Sequence, residues 1–168
     1  MSTENREEPK QLAVLVLGSE DDLDYARKIT DQLQEFGIEY QFRGGSAHTS
    51  PWHVFNIIRD VENGNSSIVY ISVAGRSDAL SAFIDSQTKF PVIAAPPKSE
   101  FGLAKYLSSI DTPAGIGVSL VIHPQAAAVS AAKIFALNNP SLARKIEELH
   151  EESVRKKITL DNKLIKKR

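Results

Sequence analysis

Three times between Leu12 and Ser86 the chain passes from an apolar run, through a loop of small residues, into a segment with helical spacing. Leu12–Leu17 (LAVLVL) is apolar without alternation, as expected of a parallel strand buried on both faces. Gly18-Ser19 ends it, the acidic residues Glu20, Asp21, Asp22 and Asp24 follow, and Leu23, Ala26, Ile29, Leu33 and Phe36 recur at helical intervals up to Gly37. Acidic side chains at a helix start complement its dipole, and glycine is a good stop. In the second repeat, Ile38–Arg43 is a predicted strand and residues 44–49 a loop. Ser50-Pro51 supplies an N-cap and a first helical position for a helix running to Asn63-Gly64. In the third, Ser67–Val73 is a strand, Ala74–Ser77 a loop and Asp78–Ser86 a helix. A short strand at Pro91–Ala95, a helix near Phe101–Ile110, a strand near Gly117–Ile122 and an alanine-rich helix from Pro124 complete the alternation. The alanines allow close packing, either on the sheet or on another subunit.

Alternating strands and helices with short connections predict an α/β fold: a three-layer α/β/α sandwich with a parallel sheet, flavodoxin-like. The pattern does not set the strand order. Ligands of such folds bind outside the carboxyl ends of the strands, so the loops at Gly18-Ser19, Ser46-Ala47-His48 and Ala74-Gly75-Arg76-Ser77 are expected to converge. Residues 1–11 read as a disordered lead-in, residues 12–139 as the catalytic domain, and residues 140–168 as a C-terminal helix packing on a neighbouring subunit. Leu142, Ile146, Leu149 and Val154 give that tail an apolar stripe, with one step too long between the last two.

Composition removes several classes of function. Lys and Arg number 20 against 21 Asp and Glu, so no basic excess exists to neutralise a nucleic acid backbone. The absence of cysteine removes disulfides, thiolate metal sites and cysteine nucleophiles. The four histidines, His48, His53, His123 and His150, have no metal-ligand spacing on one helix, so no metal centre is expected. No apolar run is long enough to span a bilayer, and the polar opening residues are unlike a signal peptide. The default expectation is a cytoplasmic protein.

His48 lies between a strand end and a helix start with Gly44 and Gly45 nearby, a suitable place for acid–base chemistry near neutral pH. A loop histidine that caps the next helix fits the pattern equally well. Gly18-Ser19 before a helix N-terminus suits an anion, although a plain tight turn explains the same two residues. Asp21 and Asp22 either complement the helix dipole or accept hydrogen bonds from ribose hydroxyls. Arg76 and Ser77 could clamp a carboxylate, or Arg76 could form a structural ion pair. Lys98 follows Pro96-Pro97 and reads as solvent-exposed.

Taken together, LGSEDDLD, GGSAHTSP and VAGRSDAL resemble the phosphoribosylaminoimidazole (AIR) carboxylase family, which includes the N5-carboxyaminoimidazole ribonucleotide mutases. The resemblance covers about residues 12–139, and SAH followed by a proline-started helix is its most specific part. AGRSDALSAFIDSQTKFPVIAAPP looks like the class II branch, which uses carbon dioxide directly. The mutase branch has a histidine and an LPG sequence where this chain has Ala79 and Leu80-Ser81-Ala82, and Arg43 stands where class II members have arginine. The family implies a homo-octamer, no metal or organic cofactor, and reversible carboxylation of aminoimidazole ribonucleotide at C4 in purine biosynthesis. It implies His48 as the acid–base, with Ser46, Ala47 and Gly75 around the substrate. Arg76-Ser77 would border the carbon dioxide or carboxylate, Gly18-Ser19 would face the phosphate, and Asp22 the sugar.

Two positions depart from the family pattern. The first loop usually reads GS-x-SD, with a serine where this chain has Asp21, and the residue after the histidine is usually basic where this chain has Thr49. Like charges ~4 Å apart repel by about 1 kcal/mol in water and about 4 kcal/mol at an effective dielectric of 20. A lost charge-assisted contact costs a further ~1.5–3 kcal/mol. Both departures weaken phosphate binding unless Arg43, Arg76 or Lys98 substitutes. They leave open a paralogue acting on a related heterocycle without the phosphate, and the fold alone leaves open a non-catalytic ligand-binding module.

Overall fold

The computed structural model describes residues 10–64, 67–98, 100 and 102–165. Most of the expected lead-in, residues 1–9, lies outside the described residues, as does the start of the expected helix at Phe101. Five parallel strands are present: β1 (Gln11–Leu17), β2 (Glu39–Gly44), β3 (Ser67–Val73), β4 (Val92–Ala94) and β5 (Ser119–Leu120). The described residues also form six α-helices: α1 (Leu23–Phe36), α2 (Pro51–Glu62), α3 (Ala79–Gln87), α4 (Leu107–Ile110), α5 (Pro124–Ala136) and α6 (Pro140–Ile165), the last two following β5. The sheet order β2-β1-β3-β4-β5 is that of the flavodoxin-like doubly wound sheet.

The unbroken apolar run of β1 is explained by its central place. Ala13, Leu15 and Leu17 face one layer with Val69, Ile71 and Val73, packing on Ala26, Ile29 and Leu33 of α1 and the alanines of α5. Leu12, Val14 and Val16 face the other with Ile68 and Tyr70, packing on Val54, Ile57 and Ile58 of α2 and Leu80 and Ile84 of α3. Ala127, Ala128, Ala131 and Ala132 are fully buried within this one chain, so the small residues of α5 serve its own core.

Gly37 ends α1 with φ +76°, and its neighbour Ile38 donates to the Leu33 carbonyl at 3.0 Å. That left-handed conformation is costly for residues with a Cβ, which is why glycine stands there. Ser50 occupies the expected N-cap position of α2, but its hydroxyl does not cap the helix. It accepts from the Ser46 N–H at 3.1 Å and donates to the Ser46 carbonyl at 3.3 Å, tying the loop to itself.

The expected helix near Phe101–Ile110 is a 3-10 segment over Gly102–Tyr106 followed by the single turn of α4. Gly102 has φ +57°, outside helical conformation, and breaks the approach to that helix. The expected strand Gly117–Ile122 shrinks to the two residues of β5. The tail does not begin as a separate element: Leu142 and Ile146 of α6 are buried in the core beside α1 and α5. Beyond His150 the helix is exposed, including Val154 and Ile158, so the long step after Leu149 marks where the stripe leaves the body.

Leu15 is fully buried at the middle of the sheet. Leu15→Ala is expected to lower stability by about 2–5 kcal/mol through lost burial and the cavity left behind, read from the midpoint of urea unfolding.

Candidate active site

The strand ends are kept level by backbone bonds that continue the sheet beyond its last residues. Gly18 N–H donates to the Val73 carbonyl and Gly45 N–H to the Leu17 carbonyl, both at 2.9 Å. Three loops therefore leave the sheet side by side at the carboxyl end of the parallel strands. Between them lies a cavity of about 370 Å³ lined by Gly18, Ser19, Asp21, Asp22, Ser46, Ala47, His48, Ala74, Gly75, Arg76, Ser77 and Leu80. The strand order explains its position: β1 lies between β2 and β3, and the crevice at this switch point is where doubly wound folds bind ligands.

Thr49 is the one residue expected at the site from sequence that lies outside this cavity; it lines an adjoining one of about 520 Å³ with Arg43, Ser19 and Ser46. Arg43 reaches Asp60 at 3.6 Å and Arg76 is exposed, whereas Lys98 is exposed on its loop as expected. Asp21 and Thr49 are both exposed. His53, His123 and His150 are exposed outside the cavity.

Asp22 is the buried acid of the site. Its Oδ2 accepts from the Ser19 N–H at 3.0 Å, and its carboxylate also accepts from the Gly75 backbone. In return the Ser19 hydroxyl accepts from the Asp21 N–H at 3.1 Å, which caps the short 3-10 turn Glu20–Asp22 leading into α1. One carboxylate thus joins the loop after β1 to the loop after β3. Asp22 lies in the first turn leading into α1, where the dipole reading put it, and its hydrogen bonds are to backbone. Burial pushes its carboxyl above the usual range, partly offset by the Ser19 bond and by the positive charge of Lys105.

The imidazole of His48 is exposed at the rim and makes no hydrogen bond among the described residues, so it does not cap α2. Its backbone N–H donates to the Ser46 hydroxyl at 3.2 Å, and Thr49 N–H does so at 3.4 Å. Ser46 thus holds the turn that presents the ring and leaves the ring nitrogens available to a ligand.

Two residues that sequence reasoning missed sit behind the cavity wall. Asp78 is buried at the N-cap of α3, accepting from the Ser81 N–H at 3.1 Å and from the Ser81 and Ser109 hydroxyls at 2.7 Å each. The signal existed: an aspartate directly before an apolar helix is an N-cap pattern. Lys105 is buried and donates to the Pro97 carbonyl at 2.5 Å. Nothing in the sequence announces it, because lysines are rarely buried. Among the described residues, no group of three or more His, Asp or Glu side chains converges as a metal site, and no helix is long and apolar enough to cross a membrane.

Fold and cavity define a flavodoxin-like protein with a small-molecule site at the switch point of its sheet, lined by backbone amides, one imidazole and one guanidinium. A family model described as AIR carboxylase matches residues 12–156. The chain is 42% identical over 153 residues to a phosphoribosylaminoimidazole carboxylase of Archaeoglobus fulgidus, covering 90% of this chain and 84% of that protein. It is 40% identical over 156 residues to one of Treponema denticola, covering 92% and 98%. The crystal structure of Treponema denticola PurE superposes with a TM-score of 0.89 at 40% identity, covering 92% of this chain and 98% of that one. The chain belongs to the AIR carboxylase family.

A Cβ at Gly75 would stand 2.9 Å from Asp22 Oδ1, whereas one at Gly117 would meet nothing within 4 Å. Gly75→Ala is therefore expected to lower stability by about 1–3 kcal/mol through overpacking against a held carboxylate. Gly117→Ala is expected to be neutral or stabilising by about 0.4–1 kcal/mol. Parallel urea titrations of the two variants check the contrast.

Proposed function

We infer that this chain carboxylates 5-aminoimidazole ribonucleotide at C4 with carbon dioxide, a reversible carboxy-lyase reaction of de novo purine biosynthesis. The observation that carries the reading is the convergence of the three motif loops on one cavity with the His48 ring free at its rim. The names and coverage of the family relatives support the activity. They favour it over a phosphate-free paralogue or a non-catalytic module.

The aminoimidazole is an enamine-like nucleophile. Its C4 attacks the carbon of carbon dioxide, a C–C bond forms, and the displaced π pair becomes the carboxylate charge. The ring is then cationic and C4 still carries its proton. His48 takes that proton, the C–H pair returns to the ring, and aromaticity is restored. In the reverse direction His48 returns the proton to C4 and carbon dioxide leaves. Imidazole suits this alternation because it exchanges protons near neutrality.

Arg76 and Ser77 border the carboxylate end of this arrangement, where a guanidinium can pair with the charge that develops. Ser19, where the turn into α1 begins, takes the phosphate end through its hydroxyl, whose proton can be donated while its oxygen accepts from the Asp21 N–H. Arg43 lines the adjoining cavity with Thr49 and supplies a positive charge there, shared with Asp60. A carboxylate has about four lone-pair sites, so Asp22 keeps capacity for a ribose hydroxyl beside its two backbone bonds. A phosphorylated substrate does not cross a bilayer unaided, which supports a cytoplasmic reaction beside the enzymes that make and use it.

The homo-oligomer we propose, an octamer by family resemblance, uses the exposed outer half of α6 against a neighbouring subunit. Val154, Ile158, Leu164 and Ile165 would otherwise stand in water.

His48→Ala is expected to lower carboxylation by about 10²–10⁴-fold without loss of fold. It is assayed by product formation from the ribonucleotide and bicarbonate; wild-type rates in that variant refute the role. A chain ending at His150 is expected to sediment as a smaller assembly than the full chain in analytical ultracentrifugation; an unchanged mass refutes the role of α6.

A further inference from the structure

Lys105 is the one buried cation among the described residues, with 7% of its surface exposed. A lysine is almost never buried unless paired. Its Nζ donates to the Pro97 carbonyl at 2.5 Å, on the loop after β4. Two buried carboxylates, Asp22 and Asp78, act on it electrostatically, and neither forms a direct ion pair with it. The two acids differ in what holds them. Asp78 has two hydroxyl donors and one N–H. Asp22 has the N–H groups of Ser19 and Gly75.

An ionised carboxylate accepts strongly at both oxygens, so it can serve two N–H groups at once; protonation makes one oxygen a donor and both oxygens weaker acceptors. Both bonds that join the loops at Gly18–Ser19 and Gly75–Arg76 are therefore stronger while Asp22 is ionised. Asp21 is the like charge that acts against this state, and Lys105 is the positive charge that favours it. Arg76 and His48 face the same cavity from the loops after β3 and β2. Lys105 lies on the far side of the Arg76–Ser77 wall, lining a separate cavity of about 390 Å³ with Ala104 and Ser108. It is thus placed behind the site.

We propose that Lys105 is a positioning residue for the reaction: its buried ammonium anchors the loop after β4 and supplies the counter-charge that keeps Asp22 a two-way acceptor across the loops after β1 and β3. The inference deepens the carboxylase reading and rests on it for its kinetic consequence, though not for its structural one. Burial pushes the Asp22 carboxyl up and the Lys105 ammonium down; Lys105 adds to the Ser19 bond in opposing the first shift, and Asp22 with Asp78 opposes the second.

The test compares wild type with Lys105→Met and Lys105→Gln, the second of which keeps a donor for the Pro97 carbonyl but carries no charge. In both variants the acidic limb of the kcat/KM profile is expected to move to higher pH. Displaced loops are expected to lower neutral-pH kcat/KM by up to about 10²-fold. Amide exchange protection at Ser19 and Gly75 is expected to fail at a higher pH than in wild type, a readout that needs no turnover. If the wild-type chain does not carboxylate the ribonucleotide, the carboxylase reading fails and the exchange data still decide the role of Lys105. If Lys105→Met does not fold, Lys105→Gln decides it. An acidic limb and an exchange profile both unmoved in Lys105→Gln overturn the proposal, whatever happens to the melting temperature.

Discussion

The Asp22 carboxylate, accepting from the backbone at Ser19 and at Gly75, spans the place where the sheet changes direction. Hydrogen bonds to a charged acceptor contribute about 1.5–3 kcal/mol each, and taking the carboxylate out of water offsets part of that gain. The exchange is worthwhile because it fixes two loops at once. A Cβ at Gly75 would stand 2.9 Å from this carboxylate, so the close approach that allows the clamp excludes a side chain from that wall of the cavity. The surface at Gly75 is accordingly backbone, with His48 and Arg76 brought in from neighbouring positions.

Much of this was legible because the central strands leave little choice. A run such as LAVLVL, apolar on both faces, fits the interior of a three-layer sandwich, and the loops that follow such strands must emerge on one side. The small residues of those loops then pointed to the cavity directly. Legibility ended where long-range packing decides. The strand order depends on crossovers between distant segments. The Gly102–Tyr106 segment has helical composition, yet a left-handed glycine at its start and only one α-turn behind it leave it a 3-10 stretch. Asp22 was noticed for its charge, but its role depends on Gly75, remote in sequence. Lys105 was invisible because its burial is imposed by the loops that fold over it.

Charge in this protein matters by location. The totals of 20 and 21 cancel, yet the described interior holds Asp22 and Asp78 against the single ammonium of Lys105. The rim carries the opposite mixture, with Arg43 and Arg76 set among Asp21 and the uncharged Thr49. Cations at the rim, with the buried acids held by other donors, are a coherent arrangement for an anionic ligand. The acids are held back by backbone and hydroxyl donors, while the Arg76 guanidinium is exposed to meet it and that of Arg43 is shared with Asp60.

The sheet also tapers from the seven residues of β1 and β3 to the three of β4 and the two of β5. A two-residue edge offers almost no template for another strand. At the opposite edge, β2 is six residues long but carries Glu39 and Arg43, each engaged with an opposite charge at Lys10 and Asp60. Neither margin invites the open-ended strand addition that leads to aggregates. The assembly proposed through α6 uses a helical face instead, where association can close at a finite size.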